Sequence, residues 1–552
     1  MIMGRPAPPS GPPPRLTAFD PLHLFASLVA SAAWPALRLV LHLAFFLAAC
    51  VILWRVRVWL RQGEARPGPG LATGTGGWAT VALLVLTAAF LAVLGYQASW
   101  QLTGLFRPRF VAFMQSHDRR EFNPAHRIQR GRILDRRGRV LAQSTEIEGQ
   151  VYRLYPFGPA FAHTVGYSDP RFGAIGAEAA ANAQLNGATP QTLASWGELG
   201  RQLLTKTKRP RGQDLTLTLD SDLQLLALQR LGDRFGAVVL LRPQDGALLV
   251  LATSPAFDPN RLAPELFRGP APGTPLLNRA TQGLYPPGSV FKVVMAALAL
   301  EAGFRGTLNC PAGGYTTSRR YPPIRDHDYY SARRAGRTWA GFGNLDLTTA
   351  FAESSNVFFA QLGVRYGRDA FARAGEQFQF DRQVRLYPGT DRYGSLSTGR
   401  LPRFAPTDLY GLAQASIGQG RVLASPAHLA TIAAAVANRG LAMRPRLLAQ
   451  EPPEPLGQYM AAPTAARLAT MMRKVVTAGT GRGIDGTQLA IAGKTGTAEN
   501  PRGAPHSWFI GFAPAAAPTL AVAVLVEHGG FGSSVAAPIA RDLLIKALEL
   551  GP

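Results

Sequence analysis

Cysteine is almost missing from this chain: 552 residues contain two, Cys50 and Cys310. Two thiols so far apart build neither a disulfide framework nor a metal-ligand cluster, and both read as inert packing residues. No cofactor motif is present, so no cofactor or metal is expected. Lysine is scarce as well, at six of the 58 basic residues. Arginine does not give up its proton inside a protein and lysine can, so each retained lysine is worth locating. Acidic residues number 34, leaving a formal charge of +24. The basic residues are scattered and form no stripe or block. That pattern suits a neighbour of anionic lipid and polymer and argues against a nucleic-acid binder. There is no internal repeat. Apolar residues make up 47%, which excludes global disorder, and the length implies two or three units.

Charge is absent altogether from Trp78 to Gly95, WATVALLVLTAAFLAVLG. These eighteen residues approach the roughly 20 that cross a bilayer, and Trp78, Tyr96 and Trp100 stand near the ends as interfacial anchors. An earlier apolar stretch, Pro21 to Trp54, is broken by Pro35, Arg38 and His42; it reads as one span over about 39–54, with a short hairpin or an interfacial helix as alternatives. Arg55, Arg57, Arg61 and Arg66 mark the intervening loop as cytoplasmic. The second span, about 78–96, then carries everything after Ala98 to the outside. The expected organisation is a membrane region at 1–97, a modest module at 98–233 and a larger unit at 234–552.

The larger unit opens with GAVVLLR (Gly236 to Arg242) and GALLVLAT (Gly246 to Thr253), an antiparallel hairpin pattern. Helical patterns dominate from Val290 to Gly440. Strand patterns return at Gln488 to Thr497, Trp508 to Phe512 and Leu520 to Glu527, and a helix closes the chain. Strands at both ends with helices between imply an α+β fold, one antiparallel sheet closed by its own termini.

Three short motifs carry chemistry. In YPPGSVFK (Tyr285 to Lys292) the Pro-Pro-Gly break places Ser289 at a helix start, with Lys292 three residues on along the same face. A serine hydroxyl is a poor nucleophile until a base takes its proton, and Lys292 with a lowered pKa would be that base. In AESSNVFF (Ala352 to Phe359) the hydroxyl of Ser354 would relay protons and the Asn356 amide would hold a substrate carbonyl. In AGKTGTAE (Ala492 to Glu499) Lys494 would lie on a strand, Gly496 would admit a close backbone, and Thr495 and Thr497 would offer hydroxyls to a carboxylate. Each motif alone is also ordinary capping or edge-strand chemistry. Their order and spacing are the signal: Ser354 follows Ser289 by 65 residues and precedes Lys494 by 140.

S-x-x-K, Ser-x-Asn and K-T-G form the set shared by penicillin-binding proteins and class A β-lactamases. From about Arg130 onward the sequence resembles the class B penicillin-binding proteins, the monofunctional D,D-transpeptidases. RGRILDRRGRVLA (Arg130 to Ala142) is similar to the opening of that family's pedestal domain, and RGQDLTLTLDSDLQ (Arg211 to Gln224) to its junction with the catalytic domain. IGQGRVLASPAHLA (Ile417 to Ala430), TAGTGRGI (Thr477 to Ile484) and HSWFIGFAP (His506 to Pro514) continue the pattern. The resemblance implies a β-lactamase/transpeptidase-like domain, with an antiparallel sheet flanked by helices and a helical subdomain, behind a small pedestal and membrane helices. It implies Ser289 as acyl-enzyme nucleophile, Lys292 as its base, Ser354 as proton relay and Asn356 on the substrate backbone. Lys494 would support the relay, and Thr495, Gly496 and Thr497 would hold the terminal carboxylate. It further implies nascent peptidoglycan strands as substrate, acylation by β-lactams, and a polytopic glycan polymerase of the SEDS type as partner at the cell membrane. The short pedestal is most like that of the division-associated members.

Neighbouring activities are less well matched. No E-x-x-L-N run follows the second motif, as a class A β-lactamase would require. A D,D-carboxypeptidase does not normally carry a span and a pedestal. A bifunctional enzyme needs roughly 200 further residues for a glycosyltransferase. A signalling receptor needs a cytoplasmic effector that the loop after 54 does not contain.

Overall fold

The computed structural model describes residues 129–147, 150–187, 212–268, 273–388, 390–484, 489–501 and 503–551, with isolated positions between 51 and 96. The two expected spans fall largely outside the described residues. Those positions that are described there are helical, and Val51, Trp54, Val85 and Phe90 expose their side chains. Among the described residues no helix is long and apolar enough to cross a membrane. The chain divides into two compact units, Met1–Glu121 and Phe122–Pro552.

The second unit opens on a small sheet. Strands β1 (Ile133–Leu134), β2 (Val140–Ile147) and β3 (Gln150–Leu154) pair antiparallel, and β4 (Leu215–Thr216) joins β1 in parallel, in the order β3-β2-β1-β4. Two charged runs that looked unrelated in sequence are thereby laced together. Buried Asp135 accepts from the backbone N–H of Arg137 and Arg139 (2.8 Å each) and from the Ser221 hydroxyl (2.7 Å). Asp220 caps α1 (Ser221–Leu231) through the N–H groups of Asp222 and Leu223, while its other oxygen pairs with Arg136 and Arg137 at 2.8 Å. A cap of this kind stabilises a helix by about 1 kcal/mol. Here it also fixes where the small sheet meets the larger part of the unit.

The larger part is built on five antiparallel strands: β5 (Gly236–Leu241), β6 (Leu248–Ser254), β7 (Ala492–Ala498), β8 (His506–Ala513) and β9 (Leu520–Val526), in the order β7-β8-β9-β5-β6. The first hairpin and the last strand are neighbours, with Val238 opposite Val524, so the sheet is closed by the domain's own termini as expected. Antiparallel strands usually alternate apolar and polar, because one face is wet. These do not, because helices cover both faces. Ala237, Val239, Ala523 and Leu525 face α5 (Pro426–Ala437), whose first eleven residues are all buried. Val238, Leu240, Val522 and Val524 face α1 and the terminal helix. A helix apolar on every side is one enclosed on every side.

Between the two parts of the sheet lie α2 (Lys292–Glu301), α3 (Leu347–Ala352) and α4 (Asn356–Gln377), then α5 and α6 (Ala462–Thr477), and α7 (Ala536–Leu550) ends the fold. The helical reading of Val290 to Gly440 needs one correction. Two ribbons interrupt it, Thr307–Pro311 with Gly341–Asp346 and Gln383–Tyr387 with Thr390–Ser397. The first is mostly exposed on both strands, so no apolar alternation announced it.

Candidate active site

Ser289 lies in a single 3-10 turn, Gly288–Phe291, and the α-helix proper starts only at Lys292. The helix start expected at Ser289 is therefore a tighter turn. In a 3-10 turn residues three apart eclipse one another, which keeps Ser289 above Lys292. The turn is pinned from three sides. Gly288 N–H donates to Gly418 O (2.9 Å), Trp508 Nε1 donates to Pro286 O (3.0 Å), and Tyr285 exchanges backbone bonds with Ala424. Gly288 sits at φ +55°, and a Cβ there would meet Thr497 O at 2.7 Å. Glycine is required because the turn rests directly on the backbone of β7.

The second motif forms the junction of α3 and α4. Ser355 is the N-cap of α4, accepting from Phe358 N–H (3.1 Å), so capping chemistry belongs to Ser355. Ser354 is held at φ +61°, a left-handed conformation that costs a non-glycine residue on the order of 1–2 kcal/mol. What holds it there is Lys292: its Nζ donates to Ser354 O (2.6 Å), to Ser354 Oγ (3.3 Å) and to Asn356 Oδ1 (2.7 Å). The Asn356 amide nitrogen donates to Arg325 O (3.1 Å).

Lys494 approaches the same hydroxyl from β7. Its Nζ donates to Ser354 Oγ at 2.8 Å and to Thr495 O at 3.1 Å. Gly496 packs with no room to spare, since a Cβ would meet Val290 Cγ1 at 2.9 Å and Trp508 Cβ at 3.0 Å. Thr495 is buried with its hydroxyl 2.7 Å from that of Thr480, and Thr497 Oγ1 accepts from Gly532 N–H at 3.5 Å. All eight residues singled out in the three motifs thus line one small region. The Ser289 hydroxyl is half-buried and has no hydrogen-bond partner among the described residues.

Two buried amines meeting at one half-buried hydroxyl repel each other's charge. Burial pulls Lys292 down to about 7, against the upward pull of Asp326. Lys494 is driven well below its ordinary value by burial and by the Lys292 charge. The site therefore holds an amine able to take a proton near neutrality beside a second that relieves the repulsion. Sequence reading missed several partners: Asp326 and Arg325 behind Asn356, Thr480 against Thr495, Gly418 and Trp508 under the Ser289 turn. The segments carrying Gly418, Thr480 and Trp508 were visible as family-like runs, but their contacts are long-range and leave no local pattern.

This arrangement of an unengaged serine, two buried lysines and a K-T-G strand is that of an active-serine acyl-transfer enzyme, and the chain belongs to the class B penicillin-binding proteins. Residues 236–545 match the penicillin binding protein transpeptidase domain, and residues 130–213 match the penicillin binding protein A dimerisation domain. The chain is 34% identical over 463 residues to peptidoglycan D,D-transpeptidase PbpA of Mycolicibacterium smegmatis, covering 77% of this chain and 90% of that one. It is 30% identical over 455 residues to peptidoglycan D,D-transpeptidase MrdA of Acinetobacter baumannii, covering 71% and 65%. Among solved structures, the ceftriaxone acyl-enzyme complex of penicillin-binding protein A from Mycobacterium tuberculosis superposes with a TM-score of 0.67 at 30% identity, over 77% of this chain and 99% of that one.

Proposed function

We propose that this protein is a peptidoglycan D,D-transpeptidase that works through an ester on Ser289. The convergence on the Ser354 hydroxyl of Lys494 Nζ and of Lys292 Nζ, the latter from the residue one turn after Ser289, carries the reading. Ser289 Oγ attacks the carbonyl carbon of the penultimate D-alanine while its proton passes to Lys292. The N–H groups of Ser289 and Thr497 receive the oxyanion. The C–N bond then breaks, and Ser354, backed by Lys494, hands a proton to the departing D-alanine and recovers one from the Lys292 ammonium. An amine from a second stem peptide attacks the ester, its proton returns by the same path, and the new amide leaves Ser289 free. Asn356 positions the substrate backbone. Thr495 and Thr497 hold the terminal carboxylate, with Gly496 keeping the strand close.

The catalytic domain acts outside the cell membrane, anchored by residues 78–96, on strands made by a SEDS-type glycan polymerase. Cross-linking is useful only where strands emerge, and the chain contains no polymerase fold among its described residues. The test is liposomes holding the full chain, such a polymerase and lipid-linked disaccharide pentapeptide. D-alanine release and dimeric muropeptides are expected, both abolished by penicillin, with the two proteins co-purifying. D-alanine without dimers would make the enzyme a carboxypeptidase.

Topology has its own measurement. A reporter active only outside the cytoplasm is expected to work when fused after Pro552 and to be silent when fused near Gly70. The opposite pattern overturns the orientation drawn from the Arg-rich loop.

A further inference from the structure

Behind the second motif sits a buried acid that the mechanism above does not use. Asp326 is 1% exposed and precedes the helix His327–Arg334. Its Oδ1 accepts from the backbone N–H of Asn356 and of Val357 (3.1 Å for the latter), the first two residues of α4. Its Oδ2 is buried with no hydrogen-bond donor among the described residues. The preceding carbonyl, Arg325 O, takes the Asn356 amide nitrogen, so one dipeptide grips Asn356 by both backbone and side chain. The far end of that amide, Oδ1, holds the Lys292 amine.

We propose that Asp326 is a positioning residue for acylation: it fixes the Ser355–Asn356 helix start and supplies the buried negative charge that faces the Lys292 amine. The proposal rests on the reading of Ser289 and Lys292 given above. The charged and titratable surroundings leave Asp326 as the acid for this role. Lys292 is faced by Asp326 and Asn356, by Ser354 with Lys494 beyond it, and by the Phe359 ring at 5.7 Å. Asp326 is faced by Lys292, Ser355 and the Cys310 thiol, which burial pushes up to about 11 and so keeps neutral. Neighbouring charges are engaged elsewhere: the Arg325 guanidinium lies over Tyr329 at 4.5 Å and bonds Gly313 O, and His327 bonds Ser331. Burial raises the Asp326 carboxyl above its ordinary value, and the two N–H bonds and the Lys292 charge offset only part of that rise.

Without this charge the Lys292 amine would lose its proton at a lower pH and be a weaker base. Asp326→Asn separates charge from shape, since its amide oxygen still accepts from both N–H groups. The experiment measures the rate of acylation by a fluorescent penicillin from pH 5 to 9, using the full-length chain in membranes. The acid limb of Asp326→Asn is expected to shift down by about one pH unit, the scale of a nearby opposite charge, with a plateau several-fold lower. Asp326→Glu keeps the charge and should keep the wild-type midpoint, whatever it loses in plateau. If the Asn variant does not accumulate, Asp326→Ser, also neutral and able to accept one N–H, replaces it. A neutral variant with a lower plateau and an unmoved midpoint overturns the proposal and reduces Asp326 to a helix cap. A wild-type chain with no adduct on Ser289 instead overturns the functional reading, and the role of Asp326 with it.

Discussion

Replacing Ser289 with alanine is expected to abolish the covalent penicillin adduct while leaving the fold intact. The lactam presents an acyl bond shaped like the D-Ala-D-Ala bond, so the serine that attacks one attacks the other. Intact-mass measurement of the wild-type chain should show one adduct, and digestion should place it on the peptide Tyr285 to Lys292. The Ser289→Ala chain should show none. Its stability should change by less than about 1 kcal/mol, because the hydroxyl has no hydrogen-bond partner among the described residues. That separation matters, since a variant that merely unfolded would lose the adduct too. An adduct that survives the substitution, or maps elsewhere, removes Ser289 from the mechanism.

Lys292→Arg should be nearly as damaging, for a different reason. Arginine keeps the positive charge but cannot accept a proton at neutral pH, and a guanidinium is a poor fit to a site where the amine is fully buried. Acylation is expected to fall by about 10³, within the range general-base catalysis supplies. Lys546→Arg is the control, on the exposed side of α7 where its amine pairs with Glu549. Acylation of the wild type should climb as pH rises through about 7, where Lys292 loses its proton. The variant should lack that limb. The same depressed value has a stability side. The unfolded chain, with an ordinary lysine, holds the proton up to roughly pH 10.4, so it binds more protons than the fold between about 7 and that point. This residue's contribution therefore makes the fold more stable as pH rises through that window. An Arg variant that acylates within about tenfold of wild type would show that charge alone is needed.

The five polar residues at the centre were legible because each belongs to a short motif whose residue types are chemically unusual together. Lys292 and Lys494 stood out further in a chain that uses arginine nearly everywhere. The edges of the site were not legible. Asp326 lies in Ile324-Arg325-Asp326-His327-Asp328, where two acids look alike in sequence and only the fold turns one of them inward. Gly418 and Trp508 act on the Pro286-to-Ser289 turn across 130 and 222 residues, a relation no local pattern records. The sheet was readable because its strands are long apolar runs. The first ribbon in the helical region was not, because it is largely exposed and pairs without an apolar stripe.

The pairing of β5 with β9 also sets the order in which this protein can be made. Val238 and Val524 lie 286 positions apart, and the sheet has no middle until both are present. The turn that carries Ser289 waits equally long, because it is propped by Thr497 and Trp508 from the last part of the chain. A nascent chain that has already emerged past Ser289, Lys292, Ser354 and Asn356 consequently still lacks Lys494 and the strand that props the Ser289 turn. Long-range closure of this kind is slow and comes late, leaving the β9-facing edge of the β5–β6 hairpin unpaired while the helical middle is synthesised. The Ser289 turn gains its backing only once the final strands arrive.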